Sequence, residues 1–228
     1  VDFVVPITFD LELSDLSPKD FVARLQQHLR MRELVVGPDF AMGRKRMGNV
    51  ETLTALGDEM EFSVRVVELL VEGGQAVRST TIREAVSKGD VTLAAALLDR
   101  NFALTGVVVK GAGRGRTLGF PTVNLEPPKG MVSPGYGIYA TWARLGEEYH
   151  MAATSIGTRP TFGEGQRIIE SFILDFEADL YDQQVRLEFV QRLRDEIKYR
   201  SVEALQEQVD KDVEQTKAIL QASRPKPT

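Results

Sequence analysis

Gly111-Ala112-Gly113-Arg114-Gly115-Arg116-Thr117-Leu118-Gly119-Phe120-Pro121-Thr122-Val123-Asn124 follows a short apolar run, Val107-Val108-Val109, that reads as a strand ending in a turn. Four glycines in nine residues leave backbone N–H groups unshielded, so an anion can approach them closely. No acidic residue occurs between Asn101 and Leu125, while Lys110, Arg114 and Arg116 are present. In a chain of net charge -5 that local reversal of sign points to a bound anion, a phosphate chain above all. Thr122 and Asn124 offer two neutral oxygens two residues apart, on one face of an extended segment. Such oxygens beside a phosphate loop suit Mg²⁺. A glycine-rich hairpin with a solvated basic rim accounts for the glycines equally well, and spacing alone does not choose between the two.

The rest of the composition narrows the classes. At 228 residues the chain holds one large domain or two ordinary ones, and 43% hydrophobic with 27% charged residues describes a globular protein. No apolar run approaches the roughly 20 residues that span a bilayer. Without cysteine there are no disulfides and no thiolate chemistry, which fits a cytoplasmic location. His28 and His150 alone make a multi-histidine metal centre untenable. The acidic balance argues against nucleic acid as a partner.

Taken in order, the chain opens on an apolar run, Phe3-Val4-Val5-Pro6-Ile7, that reads as a strand. Ser17-Pro18 starts a helix, with Phe21, Leu25 and Leu29 as its buried stripe. Leu34-Val35-Val36 reads as a second strand, so residues 3–37 are expected to form a βαβ unit in a parallel sheet. A glycine-punctuated basic loop follows, Gly37 to Gly48 with Arg44-Lys45-Arg46. Residues 50–56 read as a helix and 61–69 as a strand. Thr81 with Glu84 fits a capping box, and the hydroxyls there with Arg83 equally fit a phosphate site at a helix start. Gly89 stops that helix and Asp90 caps the next, over residues 91–98.

Beyond residue 100 strands and turns take over. Residues 103–109, 137–145, 148–156, 167–180 and 184–190 carry β-branched or aromatic residues between turn signals, which implies a small antiparallel barrel or sandwich. From Ser201 the period turns helical, with Val202, Leu205, Val209, Val213 and Leu220 as the packing stripe. Two strand glutamates compete as the carboxylate that phosphoryl transfer to a hydroxyl requires. Glu170 alternates onto the more apolar face with Ile168 and Phe172, where a carboxylate must be paired or functional. Glu188 shares its face with Arg186 and reads as solvated. Glu170 is the better candidate, with a structural salt bridge as its alternative.

The segment Gly115 to Asn124 resembles the signature of riboflavin kinases, and the segments Pro134 to Ala140, Glu170 to Phe176, Asp179-Leu180-Tyr181 and Leu193-Arg194 agree in order. Upstream, Val36 to Phe40, Arg46-Met47-Gly48 and Ser79 to Arg83 are similar to later motifs of the FMN adenylyltransferase module of bacterial bifunctional riboflavin kinase/FAD synthetases. The resemblance implies an α/β + β chain: a partial Rossmann-like nucleotidyltransferase domain over 1–100, then a six-stranded antiparallel β-barrel with a C-terminal helix over 101–228. That family opens with a glycine-phenylalanine-aspartate strand end and a His-x-Gly-His motif. Neither is present, so the first module is expected to be N-terminally incomplete and to lack adenylylation by these residues as given.

The activity so implied is transfer of the ATP γ-phosphate to the riboflavin 5′-hydroxyl, giving FMN, within an enzyme whose other module makes FAD. A non-catalytic flavin-binding or regulatory module is the alternative. Carried over by position, Gly111, Gly113, Gly115, Arg116, Gly119, Pro121, Thr122 and Asn124 meet ATP, and Thr122 and Asn124 also hold Mg²⁺. Glu170 is the implied catalytic base and touches the flavin with Arg194. Ser79, Thr80 and Arg83 are the implied phosphate contacts of the other module. The expected partners are small molecules, riboflavin, ATP and FMN, with no nucleic acid and no membrane; self-association is left open.

Overall fold

The computed structural model describes residues 2–111, 119–158 and 167–223. The chain divides into two compact units, Val1–Val71 and Glu72–Thr228.

In the first unit a short α1 (Leu11–Ser14) precedes α2 (Pro18–Leu29). The Ser17 side chain accepts from the Asp20 N–H at 3.1 Å and Pro18 stands in the first turn, as the sequence predicts. The expected N-terminal strand does not form. Phe3, Val4 and Val5 lie exposed outside any sheet. The βαβ unit is instead built one step later, by β1 (Glu33–Val36), α3 (Val50–Met60) and β4 (Ser63–Val66). β1 and β4 pair in parallel, Leu34 opposite Val64. Between them β2 (Ala41–Met42) and β3 (Gly48–Asn49) form a small hairpin that carries the basic loop. The α2 stripe also differs from expectation: Val22 is fully buried against Leu53 and Phe62, whereas Leu29 is exposed. The reason is position, since Leu29 ends the helix one residue before a left-handed Arg30.

A hairpin of β5 (Val71–Glu72) and β6 (Gln75–Ala76) leads into α4 (Ser79–Lys88) and α5 (Val91–Leu98). α4 begins three residues earlier than a Thr81 cap requires (82 − 79). Arg78 is its N-cap without a side-chain cap bond, so no Thr81–Glu84 capping box forms. Asp90 does cap α5, its Oδ1 accepting from the Leu93 N–H at 3.0 Å. Both helices belong to the second unit, and α5 sets Val91 into the cluster that fills the barrel.

The barrel is closed by β7 (Phe102–Val109), β8 (Thr122–Glu126), β9 (Gly137–Leu145), β10 (Glu148–Thr158), β11 (Arg167–Ile173) and β12 (Gln184–Arg194), in the order β10-β11-β8-β7-β12-β9. Leu104, Val108, Leu125, Ile156, Ile169, Ile173, Leu187 and Phe189 fill it. Each such side chain contributes about 1.5–3 kcal/mol by leaving water. The Tyr139 and Phe189 rings meet edge to face at 5.4 Å. Three buried hydroxyls satisfy one another among these apolar groups: Thr141 to Thr154 at 2.7 Å and Thr154 to Ser171 at 2.9 Å. That chain fixes the orientation of β11, with Ile169, Ser171 and Ile173 inward and Ile168, Glu170 and Phe172 outward.

α6 (Val202–Ala222) is capped by Ser201, whose hydroxyl accepts from the Ala204 N–H. Its buried positions are Asp212, Thr216 and Leu220, while Val202, expected in the stripe, is exposed. A polar pair thus occupies the face that the apolar pattern assigns to core. Asp212 explains itself at the site.

Candidate active site

The register of the barrel assembles the site. Across five strand pairings, Val109 stands opposite Asn124, Asn124 opposite Glu170, Glu170 opposite Ser155, Ser155 opposite Ile138, and Ile138 opposite Arg194. Opposed residues of antiparallel neighbours share a face, so this row runs along the outer wall of the barrel. Three residues singled out in sequence, 46 and 24 positions apart (124 to 170, 170 to 194), meet in one row. Thr122, opposite Phe172, flanks it on the same face.

Two cavities open on that wall. One, of about 420 Å³, is lined by Val109, Gly111, Pro121, Thr122, Asn124 and the 176–181 segment. The other, of about 510 Å³, is lined by Phe120, Thr122, Ser155, Glu170, Phe172 and residues of the 194–212 segment. Thr122 borders both. β8 presents Asn124 to the first cavity, and β11 presents Glu170 to the second. Volumes of this size accept a nucleotide or a tricyclic ring system.

The first cavity depends on a glycine. A Cβ on Gly111 would lie 2.1 Å from the Asn124 Nδ2, so only glycine lets the strand end lie against that amide and keep it nearly buried. Gly119 has a positive φ and open space around it. Gly113, Gly115 and Arg116 lie outside the described residues.

The second cavity is apolar with a polar floor. Phe120 and Phe172 meet edge to face at 5.5 Å, and Ile138, Ile197, Leu205 and Val209 supply further apolar wall. This explains Glu170. The more apolar face of β11 is not the barrel interior but the wall of a cavity, and Glu170 stands on it beside water-accessible space. Arg194 lines the same cavity, held by Asp212 through Nε–Oδ1 at 2.9 Å and Nη2–Oδ2 at 2.5 Å. Gln208 donates to the same carboxylate at 3.0 Å. The Asp212 hydrogen bonds raise the Arg194 pKa above its ordinary range and keep it charged. Asp212 is thus the tie that clamps α6 to the end of β12. Sequence reasoning missed it, although Leu205, Val209, Asp212, Thr216 and Leu220 recur at helical spacing, and a carboxylate within such a stripe is a signal.

The competing glutamate reads differently from expectation. Glu188 is not solvated: it is 4% exposed and accepts from Arg186 Nε at 3.0 Å. Two arginines and a tyrosine hold the turn before β9. Arg167 donates to the Ser133 and Pro134 carbonyls and covers the Tyr136 ring, Arg192 donates to the Tyr136 carbonyl, and Tyr139 donates to that of Gly135. This sets Ile138 at the head of its strand. Ser79, Thr80 and Arg83 lie exposed in the first turns of α4 and line neither cavity.

Comparison with known proteins identifies two families along the chain. Residues 98–220 match the riboflavin kinase family and residues 1–81 the FAD synthetase family. The chain is 34% identical over 221 residues to a bifunctional riboflavin kinase/FMN adenylyltransferase of Listeria monocytogenes, covering 96% of this chain and 70% of that protein. It is 36% identical over 214 residues to the Escherichia coli protein of the same description, covering 93% and 68%. A solved Streptococcus pneumoniae structure described as a macrolide-efflux protein superposes with a TM-score of 0.83 at 30% identity, covering 92% of this chain and 67% of that one. In this chain no described helix is long and apolar enough to cross a membrane.

Proposed function

The chain belongs to the bifunctional riboflavin kinase/FMN adenylyltransferase family, and from that premise we propose how its barrel phosphorylates riboflavin. The observation that carries the reading is the Asn124–Glu170 register pair standing between two cavities that share Thr122. ATP occupies the cavity of Gly111 and Asn124, and riboflavin that of Glu170 and Phe172. The γ-phosphorus and the acceptor hydroxyl then meet over the β8–β11 seam. Glu170 takes the proton of the 5′-hydroxyl as its oxygen bonds to phosphorus and the bond to the β-γ bridging oxygen breaks, leaving FMN and ADP. Holding both reactants on one rigid wall removes much of the entropic barrier.

Thr122 and Asn124 would hold Mg²⁺. Among the described residues no group of three or more acidic, histidine or cysteine side chains could hold a metal. Two neutral oxygens at the mouth of the nucleotide cavity suit an ion that arrives with the phosphates. When bound, the ion neutralises phosphate charge that builds up during transfer. Gly111, Gly113, Gly115, Arg116, Gly119 and Pro121 surround the nucleotide in this reading, and Arg194 borders the flavin.

We assign functional modules 1–100 and 101–228, supported by the family matches over 1–81 and 98–220. Ser79, Thr80 and Arg83 are the phosphate contacts we assign to the adenylyltransferase module. A cytoplasmic location suits substrates of this kind and a cysteine-free chain. The test is direct: purified protein with riboflavin, ATP and Mg²⁺ yields FMN by chromatography, and yields none when Mg²⁺ is chelated. Folded protein without turnover overturns the reading.

A further inference from the structure

The acceptor cavity holds a second carboxylate. Glu196 follows β12, and although much of the residue is exposed, its carboxylate turns inward and rests on the backbone of Gly157. A Cβ built on Gly157 would lie 2.1 Å from Oε1, so any other residue there would drive the carboxylate away. Gly157 is the next outward position after Ser155, which pairs with Glu170. Glu196 therefore sits one outward step, roughly 7 Å of strand, beyond the reacting row. Burial raises its pKa; the Arg194 charge opposes that rise and the Glu170 charge adds to it. Arg194 is already committed to Asp212 by two hydrogen bonds, and Glu196 feels it only as a charge.

A carboxylate placed so calls for hydrogen-bond donors on the ligand. Resting on the riboflavin kinase reading, the terminal hydroxyl of the ribityl chain lies at Glu170, and the interior hydroxyls extend along the wall toward Gly157. We propose that Glu196 determines acceptor specificity by accepting hydrogen bonds from those interior hydroxyls, and that Gly157 is the position that lets it reach them. The site would then favour a polyol side chain over an alkyl one carrying the same terminal hydroxyl.

The test compares riboflavin with a flavin bearing a 5-hydroxypentyl side chain, which keeps the reacting hydroxyl and lacks the interior ones. With wild-type protein, riboflavin has the lower KM. Glu196→Ala and Gly157→Ala each raise the riboflavin KM about tenfold or more, as expected for loss of a charged hydrogen bond. They leave the KM of the hydroxypentyl flavin and of ATP unchanged. Equal changes for both flavins, or none for riboflavin, overturn the proposal. Thermal melts accompany both variants, and should Gly157→Ala fail to fold, Glu196→Ala decides alone. Wild-type protein that makes no FMN refutes the kinase reading itself, an outcome distinct from a kinase that ignores the interior hydroxyls.

Discussion

Glu170 on β11 and Glu188 on β12 occupy comparable places: each points outward from a barrel strand whose alternate residues fill the core. Glu188 has its counter-charge two residues away on its own strand, in Arg186, and is sealed from solvent. Glu170 faces a cavity and has a neutral amide, Asn124, directly across the register. A carboxylate neutralised within its strand stabilises the fold and has no capacity left for a ligand. One set on an apolar wall beside open volume is available to take a proton. The same residue type on the same architecture is tied up or left open to a ligand according to what faces it.

The largest effect should come from Glu170→Gln. It is expected to lower kcat by about 10²–10⁴-fold, the range of general-base catalysis, with ATP affinity retained when measured by calorimetry. A variant near full rate would make the two glutamates equivalent and remove the base. Gly111→Ala attacks the same wall from the nucleotide side. Its methyl group displaces the Asn124 amide, and kcat/KM for ATP should fall about 10- to 100-fold, since small misplacements of this kind carry that penalty.

Asp212→Ala leaves the Arg194 guanidinium, itself only partly exposed, without its carboxylate. We expect destabilisation of about 2–4 kcal/mol in urea unfolding, toward the lower part of the buried-pair range because Arg194 keeps some contact with water. Riboflavin KM should rise with it, because α6 forms a wall of that cavity. The smallest change is expected from Glu188→Gln: about 1–2 kcal/mol of stability lost, seen as a lower Tm, with kcat at the wild-type level. A large kcat defect there would break the distinction between the two strands.

Much of this was legible in the chain itself. Ser17, Asp90 and Ser201 cap their helices because a side-chain oxygen satisfies a free N–H three residues on, a relation wholly local in sequence. Period-2 alternation marked the barrel strands, and the Thr122–Asn124 spacing put both side chains on one face. The opening strand failed for want of a partner: Phe3 to Ile7 has the composition of a strand, yet a strand exists only where a neighbour accepts its hydrogen bonds. The same locality hid Asp212 and Glu196, whose partners Arg194 and Gly157 lie 18 and 39 residues away (212 − 194, 196 − 157).

Local spacing alone was enough for the barrel strands, for the starts of α2, α5 and α6, and for placing Glu170 on the more apolar face of its strand. Which of two alternating faces looks inward depends on how the strands close on one another. Alternation separates the faces of a strand without ranking them, and on β11 the more apolar face is the outer one. Closure of the six strands around Ile169 and Ile173, with Ser171 joined to Thr154 inside, sent Glu170 outward. That closure also brought Asn124, Glu170 and Arg194 into one row, since register is set between strands and not along them.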